Sequence, residues 1–395
     1  MSFDYIAQAN QSRKAQQLWR QPQALQSGAG RFVEHNGKRL INFSSNDYLG
    51  LAQDPQVISA LNTGAAQYGV GSGGSPLVTG YQRPHQQLER MLCQWLGFER
   101  CILFSSGFAA NNAVIQALFS DGLSKLTAKH ESKLLIQDKL IHASLIDAAT
   151  SNNVKAKRFV HNDINSLQQR LSAPSEHKLV ATEGVFSMDG DMAPLGQISE
   201  LCQQHQAWLM VDDAHGIGVL GQDGAGSLSL TKETQPSVQG QVHMATFGKA
   251  IGTHGAFVGG SSEFIEYLIQ HARHYIYSTA LPAALAVATM KSIELIRKQS
   301  QRRDQLNHLI GYFKTKMNTL GLSDNGSVSA IQPIIIGSAE KALTISQTLK
   351  LQGIWLSAIR PPTVAANTSR LRVTLTSQHQ TEDIDLLFRH LEGLL

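Results

Sequence analysis

Ala245-Thr246-Phe247-Gly248-Lys249-Ala250-Ile251-Gly252 sets one lysine among small and apolar residues, and Gly259-Gly260 follows soon after. A lysine ammonium normally stays in water, because burying it without a partner is costly. Phe, Gly and Ala cannot solvate it, and a desolvated amine becomes a nucleophile that forms a Schiff base with a carbonyl. A glycine-bounded surface turn fits the same letters. The two readings are separated upstream, at Ala207-Trp208-Leu209-Met210-Val211-Asp212-Asp213-Ala214-His215-Gly216. That continuous apolar run reads as a strand buried on both faces. It ends abruptly in acidic residues, and open α/β sheets bind ligands beyond the carboxyl ends of their strands. A carboxylate there, followed by an aldehyde-reactive lysine, suits pyridoxal phosphate. The carboxylate would keep the pyridine nitrogen protonated, the lysine would carry the cofactor, and His215 would lie near the phenolic oxygen. Spacing alone does not choose between Asp212 and Asp213.

Composition bounds the rest. At about 150 residues per domain, 395 residues make two or three units. A hydrophobic content of 42% with 16% charged residues describes a globular chain with a large core and argues against disorder. A formal net charge of +4 is too small and too dispersed for a nucleic-acid partner. Cys93, Cys101 and Cys202 show no Cys-x-x-Cys spacing and lie in apolar surroundings, so reduced thiols and a cytoplasmic location are expected. The N-terminus has no basic segment followed by an apolar core, and no apolar run reaches the ~18 residues of a membrane span.

Along the chain, Phe3 to Trp19 reads as a polar, Gln-rich helical arm, and Phe32 to Ile41 as a hairpin turning at Asn36-Gly37. Asp54-Pro55 opens a helix. Gly69-Val70-Gly71-Ser72-Gly73-Gly74 matches a dinucleotide fingerprint by letter only, since no apolar strand precedes it and Ser75-Pro76 follows. Cys101 to Phe104 reads as a buried strand running through Ser105-Ser106-Gly107 into an Ala-rich helix, whose N-terminus is an anion site. Strands at 134–136 and 179–186 continue a βα alternation that argues a mostly parallel sheet covered on both faces. Ser278 or Thr279 is expected to cap a long helix starting near Pro282. Beyond it, helices at 302–320 and 341–351 alternate with strands at 330–336 and 355–359. In Arg370-Leu371-Arg372-Val373-Thr374-Leu375-Thr376 both arginines share one strand face, so either could clamp a carboxylate or simply face solvent. The expected organisation is an N-terminal arm and small hairpin over 1–50, a cofactor-binding large domain over 51–290 and a C-terminal α/β domain over 291–395.

Five motifs together resemble the α-oxoamine synthases. They are Asn42-Phe43-Ser44-Ser45-Asn46-Asp47-Tyr48-Leu49-Gly50-Leu51, Thr182-Glu183-Gly184-Val185-Phe186-Ser187-Met188-Asp189-Gly190-Asp191, Val211-Asp212-Asp213-Ala214-His215-Gly216, Thr246-Phe247-Gly248-Lys249-Ala250 and Ile276-Tyr277-Ser278-Thr279. The resemblance spans nearly the whole chain and implies the aspartate-aminotransferase fold (fold type I) with pyridoxal phosphate. It implies Lys249 as the Schiff-base lysine, Asp212 on the pyridine nitrogen and His142 stacked on the ring. It puts Ser187 and His215 near the phenolic oxygen and Gly107, Phe108 and Thr246 at the cofactor. Thr279 would reach the phosphate from the other subunit of a homodimer. Arg372 would hold the substrate carboxylate, with Asn46, Thr363 and Arg20 at the substrate, and no metal takes part. Ser44 to Asp47 and Ala358 to Val364 are most similar to members that join L-alanine to a pimeloyl thioester, on coenzyme A or acyl carrier protein, in biotin synthesis. Ala365 departs from the proline expected there. A member acting on glycine and acetyl-CoA, and a non-catalytic binding protein on the same scaffold, stay open as alternatives.

Overall fold

The computed structural model describes residues 2–16, 18–120, 132–234, 241–323 and 325–395. In chain order its strands are β1 (Phe32–His35), β2 (Lys38–Asn42), β3 (Arg100–Phe104), β4 (Lys133–Asp138), β5 (Lys157–Phe159), β6 (His177–Glu183), β7 (Trp208–Asp212), β8 (Val242–Thr246), β9 (Ala256–Gly260), β10 (Ile331–Gly337), β11 (Ile354–Trp355), β12 (Ala358–Ile359) and β13 (Ser369–Thr374). The chain divides into two compact units. One comprises Leu51–Ser187 and Met192–Arg303, the other Met1–Gly50, Met188–Asp191 and Asp304–Leu395.

The larger unit is built on a seven-stranded sheet of order β3-β9-β8-β7-β6-β4-β5. Strands β5, β4, β6, β7 and β8 are parallel. Strand β9 runs against both β8 and β3, so β3 points the same way as the parallel set. The apolar runs are continuous because alternate side chains serve opposite faces. Leu135, Leu179, Ala181 and Met210 pack into one core with the helices Gly107–Phe119, Ala143–Ser151 and Ser262–His271. Leu134, Ile136, Val180, Leu209 and Val211 pack into another with Ile164–Leu171 and Leu195–Gln204. Asp54 caps the helix Pro55–Tyr68 by accepting from Gln56 N at 2.8 Å. The Gly69–Gly74 stretch is zipped to Ala280, whose N–H donates to Gly74 O at 3.0 Å while its carbonyl accepts from Ser72 Oγ at 2.5 Å. Neither Ser278 nor Thr279 caps the long helix. It spans Ala283–Lys298 with Pro282 at its N-cap and no capping side chain, because the chain stays non-helical up to that proline.

The smaller unit carries two three-stranded sheets, β1-β2-β11 and β10-β13-β12. The hairpin turns where Asn36 and Gly37 both adopt positive φ (51° and 71°), the geometry of a two-residue turn. Parallel pairing of Ile41 with Ile354 ties this hairpin to the C-terminal residues. Segment 1–50 therefore groups with them rather than standing apart, and the boundary expected at 290/291 falls inside the helix Ala283–Lys298 of the larger unit. The single strand expected over 355–359 is two. Strand β11 joins one sheet and β12 the other, the chain switching at Ser357, whose N–H donates to Ser44 Oγ at 2.9 Å. The N-terminal helix spans Tyr5–Ala15 with no buried residue, shorter than the 3–19 expected, and Gln17 of that range lies outside the described residues. Arg31 closes the unit through Nε and Nη2, each 2.8 Å from a carboxylate oxygen of the buried Asp383.

His379 is locked in this unit as a neutral ring. Its Nδ1 accepts from Thr376 N at 3.1 Å, its Nε2 faces Asn42 O at 3.2 Å, and it stacks on Phe43 at 4.5 Å. Burial pushes its pKa from 6.5 down to about 4. The unfolded chain therefore takes up this proton first as pH falls, so the stabilisation is complete above the unfolded value and is lost towards the folded one. Urea unfolding should show on the order of 3 kcal/mol lost between these two pKa values on this account. His379→Gln should flatten that acid limb, and an unchanged pH slope in the variant would remove His379 as its cause.

Candidate active site

Parallel strands end at one edge, and that edge gathers most of the residues singled out in the sequence. Gly107 and Phe108 follow β3, His142 follows β4, Ser187 follows β6, Asp212 and His215 end and follow β7, and Thr246 and Lys249 end and follow β8. In register, Glu183 pairs with Asp212, and Asp212 with Met244.

Lys249 sits in a tight turn closed by Gly252 N donating to Lys249 O (2.9 Å) and Thr253 N to Phe247 O (2.8 Å). Phe247, Ala250 and Ile251 are buried around it. Its Nζ lies 2.8 Å from Nε2 of the buried His215.

The two consecutive carboxylates have separate partners. Asp213, fully buried, accepts through Oδ2 from Ser227 N at 2.8 Å and faces His243 Nε2 at 3.2 Å. Gly184, Gly216 and Gly226 close around it so tightly that a Cβ on any of them would overlap its carboxylate oxygens. Asp212 accepts from Ala214 N at 3.1 Å and from Asn111 Nδ2 at 2.8 Å. Asn111 also donates to Ser144 Oγ at 2.8 Å, and that hydroxyl lies 2.8 Å from Nδ1 of His142. The ring of His142 keeps accessible surface, yet desolvation by the surrounding protein pushes its pKa below 6.5. The negative charges of Asp212 and Asp147 oppose that shift, and Lys249 adds to it. Beside Asp212, Glu183 is buried, and burial followed by the Asp212 charge pushes its carboxyl well above the usual range.

Next to this cluster the helix Gly107–Phe119 begins. Ser106 caps it by accepting from Ala109 N at 3.2 Å, and the first intrahelical bond is Ala110 N to Ser106 O at 3.0 Å. The amides of Gly107 and Phe108 precede that bond. A Cβ at Gly107 would lie 2.5 Å from Thr246 Cγ2, so the close approach of helix and strand requires glycine. Thr246 Oγ1 is buried with no hydrogen-bond partner among the described residues. Phe108 and Thr279 are exposed, and Thr279 takes no part in the bonds linking Lys249, His215, Asp212, Asn111, Ser144 and His142.

The remaining candidates lie in the smaller unit. All of Ser369–Thr374 is buried, both arginines included, so neither faces solvent. Arg370 is engaged by the Asp189 carboxylate and by Thr368 O at 3.1 Å. Arg372 Nη1 donates to Asn46 Oδ1 at 3.2 Å and Thr374 Oγ1 at 3.0 Å, and burial pushes the neighbouring Tyr48 hydroxyl up to about 12 against the pull of Arg372. Arg20 Nη2 donates to Thr363 Oγ1 at 3.3 Å. Ala365 ends the loop by accepting from Thr368 N and Oγ1 at 3.2 and 2.8 Å. Sequence reasoning passed over Asn111, Ser144 and Glu183. The signal for the first was an asparagine pair interrupting an Ala-rich helix, and for the second a serine two residues after His142.

A family model described as aminotransferase class I and II matches residues 38–391. An 8-amino-7-oxononanoate synthase of Photobacterium profundum is 48% identical over 97% of this chain and 94% of its own length. Another, from an Enterobacter species, is 46% identical over 96% of both. Among solved structures, serine palmitoyltransferase from S. paucimobilis with bound PLP–myriocin aldimine aligns with a TM-score of 0.89 at 27% identity, covering 99% of this chain and 97% of that one. The 8-amino-7-oxononanoate synthase of Francisella tularensis aligns with a TM-score of 0.75 at 29% identity, covering 90% and 97%. The architecture is that of aspartate aminotransferase-like enzymes of fold type I, a large mixed sheet with a smaller domain. The chain belongs to the class I and II aminotransferase family and, within it, to the 8-amino-7-oxononanoate synthases.

Proposed function

We propose that this chain uses pyridoxal phosphate to condense L-alanine with a pimeloyl thioester, giving 8-amino-7-oxononanoate, carbon dioxide and the free thiol carrier. The observation that carries it is the meeting of the Lys249–His215 pair with the Asp212–Asn111–Ser144–His142 chain at one sheet edge. The residues fit the cofactor. The unpartnered Thr246 Oγ1, the glycine at 107 and the first-turn amides of Gly107 and Phe108 suit an anionic phosphate, and the Asp212 carboxylate suits a protonated ring nitrogen. When bound, the cofactor supplies an electron sink for the negative charge at the alanine α-carbon.

Lys249 would hold the cofactor through its Nζ, and the same Nζ, when free, would take the alanine α-proton as general base. His142 would stack on the ring, while Ser187 and His215 would address its phenolic oxygen. The alanine α-carbon forms a bond to the thioester carbonyl carbon, and the carbon–sulfur bond breaks, the thiolate leaving to take up a proton. The alanine carboxylate then departs as carbon dioxide and the α-carbon is reprotonated. Arg372 takes the substrate carboxylate through its planar fork, which orients the bond to be broken. Asn46, Thr363 and Arg20 line the substrate. The working form is a homodimer in which Thr279 serves the phosphate of the other subunit, and the acyl donor is carried on coenzyme A or acyl carrier protein.

Turnover with alanine or glycine against short and long acyl thioesters tests the reading. Alanine with pimeloyl thioester should be the fastest pair, and faster turnover of glycine with acetyl-CoA would replace it by the ligase activity. Borohydride should fix the cofactor to a single peptide containing Lys249, and Lys249→Ala should lose ~10²-fold or more in rate. Wild-type turnover in that variant would sink the assignment. Arg372→Ala should raise the alanine KM roughly ten- to a hundredfold, from the loss of a charge-assisted contact, and move the thioester KM much less. Arg372→Lys should recover little, since an ammonium cannot reproduce the fork. Paired saturation curves check this, and a larger alanine defect in Arg370→Ala would transfer the role to Arg370.

A further inference from the structure

The hydrogen bonds between Asp212 and His142 have a direction, and groups at both ends of the chain set it. The backbone N–H of Ser144 lies 3.2 Å from His142 Nδ1 and can only donate, so that nitrogen presents a lone pair. The Ser144 hydroxyl, 2.8 Å from the same nitrogen, must also donate to it. At the other end, Asp212 Oδ2 is an acceptor 2.8 Å from Asn111 Nδ2. Turning the amide over would set its oxygen against the carboxylate, acceptor against acceptor, which rules that orientation out. Asn111 Nδ2 therefore gives one hydrogen to Asp212 and the other to Ser144 Oγ, also at 2.8 Å. Asn111 and Ser144 are 1% and 0% exposed, so water does not compete for the bonds joining Asp212, Asn111 and Ser144. The buried Asn111 Oδ1, without a partner among the described residues, is what this use of both amide hydrogens costs.

We propose that Asn111 and Ser144 are positioning residues that hold His142 as the neutral tautomer protonated on Nε2, by relaying hydrogen-bond direction from the Asp212 carboxylate to His142 Nδ1. A proton on Nδ1 would oppose the Ser144 amide hydrogen and strand the hydroxyl. The charges acting on the ring are Asp212 at the end of β7, Asp147 on the helix that His142 caps and Lys249 after β8, and the buried Glu183 at the end of β6 lies beside Asp212. Desolvation by the surrounding protein acts in the same sense as the bonds, lowering the pKa of the ring. The proposal rests on the preceding reading only for its catalytic meaning, because the tautomer belongs to the resting protein.

Nuclear magnetic resonance of holoenzyme labelled at the histidine ring nitrogens tests it, with His142 assigned by the signals lost in His142→Gln. At about pH 7.5, above the ordinary histidine range, Nδ1 should show the shift of an unprotonated nitrogen and Nε2 that of a protonated one. A ring protonated on Nδ1, or doubly protonated, overturns the proposal. Asn111→Leu keeps a similar volume, removes both amide hydrogens and adds no charge, so the Ser144 hydroxyl is no longer tied to Asp212 and should turn from His142. The His142 titration midpoint should then rise by about one pH unit or more. An unchanged midpoint, with near-ultraviolet circular dichroism like the wild type, overturns it. If that variant does not fold, Ser144→Ala removes only the hydroxyl donor and should also raise the midpoint, an unmoved value again counting against the proposal. None of these signals requires substrate, so a failed alanine assay and a failed tautomer assignment are read separately.

Discussion

β7 ends in two consecutive carboxylates on a strand whose neighbours cover both faces, and buried carboxylates must be met by donors. Apart from the neighbouring Ala214 N, the donors come from other parts of the larger unit. Ser227 N and His243 serve Asp213, and Ala214 N and Asn111 serve Asp212. For Asn111 to arrive, the helix Gly107–Phe119 must pack on the face shared with the helix Ala143–Ser151, which it does through Ala110, Ala113, Val114, Leu145 and Ala148. That same placement brings the start of the first helix against Thr246, where only glycine fits. Satisfying one acidic side chain thus also positions the N-terminal end of the helix and the imidazole of His142.

The parts legible in the sequence were those whose cause is local. A continuous apolar run ending in Asp-Asp is a strand buried on both faces whichever neighbours it has, and Asn36-Gly37 makes a hairpin turn through its own backbone freedom. The parts that were not legible depend on residues far away in the chain. Periodicity puts Arg370 and Arg372 on one face, but the Asp189 carboxylate, 181 positions away, engages the first and so distinguishes them. Strand pairing with β2 splits the 355–359 run and draws segment 1–50 to the C-terminal residues, and neither follows from propensity. Asn111 was invisible for another reason. In an Ala-rich helix a polar residue reads as the solvated face, and its partner Asp212 lies 101 positions on. Within the site, Lys249, His215, Asp212 and His142 came from motif and order along the chain, whereas the residues that connect them needed coordinates.

The packing around Asp213 also bears on how this sequence can change over generations. A side chain at Gly184, Gly216 or Gly226 collides with the carboxylate, so each glycine is held for as long as the aspartate is there. Shortening the aspartate first would relieve the overlap at Gly216, but a Cβ at Gly184 would still meet Ser227 Oγ at 2.2 Å and Gly226 keeps a φ of 93°, and the change would leave the Ser227 amide and His243 without their acceptor. The positions are therefore inherited as a block, and their substitutions are ordered rather than independent. Alanine at residue 216 must follow a change at residue 213, and alanine at residue 184 must follow changes at both 213 and 227, so the order of those changes records a history that no one position would reveal alone.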